Sequence, residues 1–269
     1  VYMDQMGRRV RDRLVMEHQL RDALQSESFR LHYQPIVEMQ TGEIVAVEAL
    51  VRWQMADGKL RMPGEFIHVA EDSAMIIPLG EWVLRTACLQ QKKWLAAGLD
   101  LGMAVNLSTR QFLDPHLMDK VMNIVRETGV EASRLKLEVT ESAAMHNPEE
   151  SVEILCALTE NGVKIAIDDF GTGYSSLSYL RRIPADTIKI DRMFVEGLGD
   201  QLQDETIVRT VIALANALGK VTVAEGIETR EQYAAIRAMG CNYAQGYLIS
   251  MPLSAEDLSK LLDRGTKLI

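Results

Sequence analysis

From residue 31 onward, apolar residues fall into short unbroken runs that alternate with longer, periodically patterned stretches. The runs occupy 31–37, 44–49, 101–107, 135–139, 163–167, 187–190, 221–224 and 243–249. Between them, 80–97, 115–128, 148–161, 206–218 and 229–239 repeat their apolar residues at helical spacing. A short apolar run bounded by turn signals reads as a buried strand, and strands separated by helices call for parallel βαβ units. The first two runs differ, because only Glu38 and the turn Met39-Gln40-Thr41-Gly42-Glu43 separate them. That is too short for a crossover and predicts an antiparallel hairpin. Gly98, Gly129, Gly162 and Gly240 follow the helical stretches where a left-handed residue commonly ends a helix. Residues 1–25 read as one amphipathic helix with Met3, Met6, Val10 and Leu14 on its stripe, a connector or packing helix. Eight strand candidates with interleaved helices suit either a closed (β/α)8 barrel or an open doubly wound sheet.

Polar residues mark the ends of these runs. Glu48 closes Ile-Val-Ala-Val-Glu and Asn106 closes Met-Ala-Val-Asn. Glu138 lies in Leu-Lys-Leu-Glu-Val with Glu141 behind it, and Asp168 and Asp169 follow Val-Lys-Ile-Ala-Ile. Lys189 and Asp191 flank the end of the next run, Glu225 and Glu228 follow Val-Thr-Val-Ala, and Gln245 sits in Tyr-Ala-Gln-Gly-Tyr. Taken singly, each has a plain structural explanation. A strand-end carboxylate can cap a helix or pair in a loop, Asp168-Asp169-Phe170-Gly171 fits a turn, and Lys189 fits a solvated charge. Taken together they converge on one face if the strands close into a barrel, the face where barrel enzymes carry their active sites.

The chemistry of the set is that of a hard cation. Carboxylate and amide oxygens suit Mg²⁺ or Mn²⁺, and all five histidines (His18, His32, His68, His116, His146) lie outside the set. The adjacent Asp168 and Asp169 allow one carboxylate to bridge two ions, the arrangement that serves in-line phosphoryl displacement. A serine hydrolase is excluded by the lack of a Gly-x-Ser-x-Gly elbow. Gly171-Thr172-Gly173-Tyr174-Ser175-Ser176 lacks the Gly-Lys-Ser of a phosphate loop and fits a lid hinged on two glycines.

Composition narrows the partners. The formal net charge of −9 repels polyanions, so a DNA or RNA polymer is not expected to bind. Cys88, Cys156 and Cys241 are scattered and odd in number, which suggests buried thiols in a reducing, cytoplasmic compartment. No apolar run reaches the roughly 18 residues of a membrane span, although the segment is compatible with a longer membrane-attached protein.

The motifs themselves resemble those of the EAL-domain cyclic di-GMP phosphodiesterases. Glu48-Ala49-Leu50-Val51-Arg52-Trp53 matches the signature that names the family. In the family's order there follow Asn106-Leu107-Ser108, Leu137-Glu138-Val139-Thr140-Glu141, Asp168-Asp169-Phe170-Gly171-Thr172-Gly173-Tyr174, Ile188-Lys189-Ile190-Asp191, Ala224-Glu225-Gly226-Ile227-Glu228 and Gln245-Gly246-Tyr247, with Tyr33-Gln34-Pro35-Ile36-Val37 ahead of them all. The resemblance implies a TIM-like barrel over 26–269 whose first strand runs opposite to the others, often paired into homodimers. It implies hydrolysis of cyclic di-GMP to the linear dinucleotide with two Mg²⁺ or Mn²⁺ ions. Glu48, Asn106, Glu138 and Asp168 are then expected to hold one ion, and Asp168 and Asp169 the other, with Glu225 reaching it directly or through water. Lys189 is expected to contact and help deprotonate the attacking water, its pKa lowered by the metals, and Gln245 to orient that water or the phosphate. Arg52 is expected on a phosphate oxygen, with Gln34, Leu50 and Tyr247 against the nucleotide. Glu141 is expected to anchor the lid, and Asp191 and Glu228 to support the ligands from behind. Residues 1–25 resemble the linker that follows a GGDEF-type diguanylate-cyclase domain. The chain departs from the family pattern at Gln54-Met55 and at Ile249-Ser250-Met251-Pro252, neither of which holds a proposed ligand. A non-catalytic cyclic di-GMP receptor and a metal-dependent barrel lyase or aldolase stand as alternative readings.

Overall fold

The turn at Gly42 decides how the sheet begins. Gly42 adopts φ 74°, in the left-handed region, and lets β1 (Phe29–Glu38) fold back on β2 (Ile44–Gln54) as the predicted hairpin. The antiparallel register runs from Phe29 opposite Trp53 to Val37 opposite Ile44. The computed structural model describes residues 2–172, 177–199, 202–263 and 265–269, with the main chain only for 2–12, 177 and 202.

After the hairpin the chain forms β3 (Leu60–Arg61), β4 (Gly102–Leu107), β5 (Leu135–Thr140), β6 (Lys164–Phe170), β7 (Thr187–Ile190), β8 (Val221–Ala224), β9 (Tyr243–Ala244) and β10 (Leu253–Ser254). From β2 through β4, β5, β6, β7 and β8 to β9 every neighbouring pair is parallel. β1 then closes the ring, antiparallel to both β2 and β9. The result is an eight-stranded TIM-like barrel with a reversed first strand, and the open-sheet alternative falls away. β3 and β10 are two-residue additions outside the ring, too short to leave a pattern in the sequence.

Strand alternation sorts the side chains. In β5, Leu135, Leu137 and Val139 are fully buried on the helix-facing side. Lys136, Glu138 and Thr140 therefore share the opposite, interior side. Apolar residues thus serve the contact between barrel and helices, while polar residues can occupy the barrel's interior and upper rim. The surrounding helices follow the predicted stretches, with small differences at their starts. One begins at Ile76 rather than 80, because Pro78 falls in the first turn, where its missing N–H is no loss. Short helices at Thr109–Phe112, Glu141–His146 and Arg192–Glu196, and a longer one at Ala255–Leu262, were not expected; three of them begin at the caps of strand-end loops.

Two expectations need correction. The run 243–249 is a strand only over Tyr243–Ala244, because the chain then turns back on β8's loop. Ile227 N–H donates to Gln245 O at 3.1 Å and Leu248 N–H to Ile227 O at 3.0 Å. The helix Tyr2–Gln25 forms, but Leu14, the one member of its predicted stripe with a described side chain, is 60 % exposed. The face that docks on the barrel carries Met16, Leu20 and Ala23, a second set at helical spacing.

Gly246 makes the β9 turn possible. A Cβ there would stand 2.1 Å from Ile227 O and 2.3 Å from Ile227 N, both backbone atoms that cannot swing aside. Gly58, at φ 82°, has nothing within 4 Å. Gly58→Ala is therefore expected to cost only the left-handed backbone penalty, about 1 kcal/mol. Gly246→Ala is expected to cost about 2 kcal/mol or more by adding an overpacking clash. Urea denaturation of the two variants checks the order.

Candidate active site

At the carboxyl ends of the parallel strands, one lysine stands among acids from four elements. Lys189 on β7 is 1 % exposed. Its Nζ donates to Glu138 Oε2 on β5 at 2.7 Å and to Asp168 Oδ2 on β6 at 3.2 Å. Glu225 Oε1, just past β8, lies 2.5 Å from it, and Glu48 Oε2 on β2 lies 3.8 Å away. Amides close the ring on the β1 side. Asn106 Nδ2 donates to Glu48 Oε1 at 2.6 Å, and Gln245 Nε2 donates to Glu48 Oε2 at 2.6 Å and Gln34 Oε1 at 3.1 Å. Gln34 is itself held by its Nε2 donating to Ser250 O at 3.1 Å. That contact uses a backbone carbonyl, so it does not depend on the unusual side chains at Ile249 and Met251.

The helix-cap explanation fails for these acids. The caps of the following helices are Ser108, Thr140 and Asp191, each accepting a backbone N–H. Asp191 is thus a cap, whereas Glu138 projects into the barrel, freed from that duty by Thr140 two residues on. Asp168 and Asp169 would face opposite sides of a regular strand. Here the β6–β7 register shifts between Ile167 and Phe170, and Asp169 takes a left-handed φ of 53°. A bulge of this kind re-aims side chains. It leaves Asp168 against Lys189 and Asp169 in contact with both Asp168 and Asp191.

Charge is out of balance at this point. Four carboxylates share one ammonium, with Asp169 a fifth close by. Burial pushes the Glu138 carboxyl well above the usual range, with Lys189 pulling against it. Burial likewise pushes Glu225 up to about 8, and burial together with the charge of Asp168 pushes Asp169 up to about 6. For Lys189, burial acts downward, but Asp168, Glu138, Glu225 and Glu48 outweigh it and hold the ammonium well above the usual lysine range. The expected lowering of Lys189 therefore does not arise from the protein's own groups, which stabilise its charged form.

This donor set fits hard cations: oxygen ligands only, an excess of negative charge, and a buried Gln245 Oε1 that has no hydrogen-bond partner among the described residues. Among those residues no three acids are placed to hold a metal ion as they stand; Glu138, Asp168 and Glu225 gather instead around the Lys189 ammonium.

A cleft of about 210 Å³ opens above the cluster. Of the predicted residues, Gln34, Glu48, Leu50, Asp168, Lys189, Glu225, Glu228, Gln245 and Tyr247 line it. Asn106 and Glu138 join through Glu48 and Lys189 rather than on its wall. Arg52 is buried, with Nη1 donating to Val51 O at 2.8 Å, and does not line the cleft. Glu141, 1 % exposed, accepts the Gly171 N–H at 2.8 Å, where the predicted lid begins; Gly173, Tyr174, Ser175 and Ser176 of that lid lie outside the described residues. Sequence reasoning missed Arg192 on the cleft wall, although it directly follows Asp191 on the same strand-end loop. A larger cavity, about 480 Å³, opens at the opposite mouth, where Ala46, Gly102 and Ala104 leave the barrel axis unfilled. Its Lys136 is already paired with Asp186 at 2.8 Å, and the other acids of its lining, Asp100 and Glu138, are engaged by Arg134 and Lys189.

The fold and this site define a TIM-like barrel of the class that carries acidic, oxygen-ligand sites at the C-terminal ends of its strands. The chain belongs to the EAL domain family, whose sequence profile matches residues 17–252. It is 44 % identical over 254 residues to the Pseudomonas aeruginosa protein named bifunctional diguanylate cyclase/cyclic di-GMP phosphodiesterase MucR, covering 94 % of this chain and 37 % of that protein. It is 42 % identical over 255 residues to cyclic di-GMP phosphodiesterase NbdA of the same organism, covering 94 % and 33 %. The chain thus spans about a third of the length of these curated relatives. Among solved structures, the MucR phosphodiesterase in complex with c-di-GMP superposes with a TM-score of 0.88 at 45 % identity, over 90 % of this chain and 99 % of that one. The EAL enzyme Bd1971, in its cAMP and cyclic-di-GMP bound form, superposes with a TM-score of 0.89 at 31 % identity, over 97 % and 72 %.

The charge imbalance has a measurable consequence. Lys189→Met leaves the buried acids without their counter-charge, at an expected cost of about 3–5 kcal/mol. The loss should be larger at pH 8 than at pH 5, because Glu225 and Asp169, with pKa values of about 8 and 6, take up protons as the pH falls. Urea denaturation in the presence of a chelator at both pH values, repeated with added Mg²⁺, reads the effect, and Mg²⁺ should restore part of it.

Proposed function

We propose that this chain is a phosphodiesterase domain that hydrolyses cyclic di-GMP to the linear dinucleotide with the help of two divalent ions, Mg²⁺ or Mn²⁺. The observation that carries the reading is the buried cluster in which one lysine is shared by four carboxylates at the mouth of the barrel. Membership in the EAL domain family and the names of the relatives support the same substrate.

In this reading Glu48, Asn106, Glu138 and Asp168 hold one ion, and Asp168, Asp169 and Glu225 hold the other. When bound, such ions act as Lewis acids on the phosphate and bring water toward ionisation. The protein's own groups do the rest. Lys189 is fixed at the centre by its acidic partners, where it donates to the attacking oxygen or the phosphate. It passes to the role of base only when added positive charge opposes the ammonium form. Gln245, already pinned by Glu48 and Gln34, keeps Oε1 free to accept from a water on the cleft side. Leu50, Gln34 and Tyr247 lie where a nucleotide would rest on the cleft wall. Arg52 spends Nη1 on the Val51 carbonyl and would meet a phosphate with its remaining N–H groups, from a position close to Glu48 and Tyr247. Glu141 anchors the start of the 170–178 lid through Gly171, and Asp191 and Glu228 support the rim.

We further take residues 1–25 as a connector to an upstream GGDEF-type or sensory domain, 26–269 as the catalytic barrel, and a homodimer as the working assembly. The length of the relatives and the bifunctional name of MucR support the upstream domain. Among the described residues no helix is long and apolar enough to cross a membrane, and we place the barrel in the cytoplasm, where its three free cysteines are at home.

Turnover of cyclic di-GMP by the purified chain, with product identified by mass, tests the proposal. The parent should yield the linear dinucleotide with Mg²⁺ or Mn²⁺ and none with a chelator. Glu48→Ala and Lys189→Ala should each lose about 10²–10⁴-fold in kcat. A folded parent that binds cyclic di-GMP in saturating metal without cleaving it would establish the receptor reading instead.

A further inference from the structure

At the rim of the cleft stands a guanidinium that the reading above leaves without a task. Arg192 opens the helix Arg192–Glu196 directly after its cap, Asp191. Its half-exposed side chain lines the cleft beside Gly226, Glu228 and Tyr247. Three contacts fix it there. Nε donates to Glu196 one turn along, and Nη2 lies 3.4 Å from Glu228 Oε1. The aliphatic stem crosses over Gly226, where a Cβ would stand 2.3 Å from Arg192 Cγ. Gly226 thus provides the groove in which the stem lies. Only Nε is hydrogen-bonded to a described residue; Nη2 is held by charge alone, so Nη1 and Nη2 both keep N–H groups available at the rim.

The surroundings decide what such a fork selects. Two carboxylates already offset its charge, so a phosphate would enter as a third anion. A neutral pair of acceptors meets no such repulsion. Guanine offers that pair at O6 and N7, the arrangement an arginine fork contacts with two hydrogen bonds. Adenine places an amino donor where guanine has O6, and the guanidinium has no acceptor to meet it. The Tyr247 ring, 50 % exposed on the same wall, supplies a face on which a base can stack. Size points the same way. The cleft of about 210 Å³ is smaller than the roughly 300–1,000 Å³ of ordinary small-molecule sites, so a cyclic dinucleotide seated over the acidic cluster extends past its rim.

We propose that Arg192 reads the O6/N7 edge of one guanine of the substrate and thereby sets the preference for guanine over adenine. The inference rests on the phosphodiesterase function proposed above and adds to it a specificity-determining residue outside the acidic cluster.

The test compares the parent chain, Arg192→Met and Arg192→Lys in saturating Mn²⁺ on three substrates: cyclic di-GMP, cyclic di-AMP and bis(p-nitrophenyl) phosphate. Arg192→Met should raise KM for cyclic di-GMP about tenfold or more, with the larger part of the effect in KM rather than kcat. The ratio of kcat/KM for cyclic di-GMP over cyclic di-AMP should shrink by a similar factor. The loss on bis(p-nitrophenyl) phosphate, which has no purine, should be smaller by about tenfold. Arg192→Lys keeps the charge without the planar fork and should not restore the ratio. An unchanged ratio in Arg192→Met, in a parent that cleaves cyclic di-GMP, overturns this inference and leaves the proposed function standing. Full restoration by lysine overturns the two-bond recognition. A parent that cleaves the simple diester but not cyclic di-GMP overturns the proposed function, and the inference with it.

Discussion

The ammonium of Lys189 is the point on which the upper end of the barrel depends. Glu48, Glu138, Asp168 and Glu225 come from four separate elements and approach one another closely enough to repel. A single buried cation cannot neutralise four carboxylates; burial, with the neighbouring acids adding to it, raises the pKa values of Glu138 and Glu225. Such an arrangement is a poor way to stabilise a fold, since buried ion pairs rarely repay the loss of hydration. It makes sense as a site kept in readiness for further positive charge. The apolar contacts between the barrel and its helices, with Leu135, Leu137 and Val139 among the fully buried residues, supply the stability that the cluster does not.

Backbone geometry converts this chemistry into a site. The bulge at Asp168-Asp169 breaks the strict alternation of β6, so that adjacent aspartates serve one rim instead of two faces. The Thr140 cap leaves Glu138 free to point inward, and the tight turn at Gly246 sets Gln245 over Glu48. Each device costs something locally: a left-handed aspartate, a glycine that admits no side chain, an amide oxygen left without a partner. Strain and unmet polar groups of this sort gather where a protein binds or reacts.

The same economy extends to the rim. Gly226 follows the acidic Glu225 and leaves room for the stem of Arg192, while Glu228 and Glu196 hold its head. Acid cluster, phenol and guanidinium therefore share one cleft. A ligand with a phosphodiester at one place and a base at another would meet groups suited to each.

Much of this was legible along the chain, and the reasons are local ones. The short apolar runs, their spacing, and the glycine in the first turn follow from strand burial, crossover length and φ preference, so eight strands and a reversed first hairpin could be read before any tertiary contact was known. The carboxylates and amides at the run ends named most of the site, because parallel strands that close must bring such ends together. Tertiary structure alone decided the rest. Closure rather than an open sheet depends on β1 finding β9, more than 200 residues away. The bulge that re-aims Asp169, the burial that holds Lys189 charged, the withdrawal of Arg52 from the cleft and the arrival of Arg192 at its rim all depend on neighbours remote in sequence. Local pattern fixes which side chains face inward. Only the packed barrel determines which charges then lie within a few ångströms of one another, and it is those distances that set their chemistry.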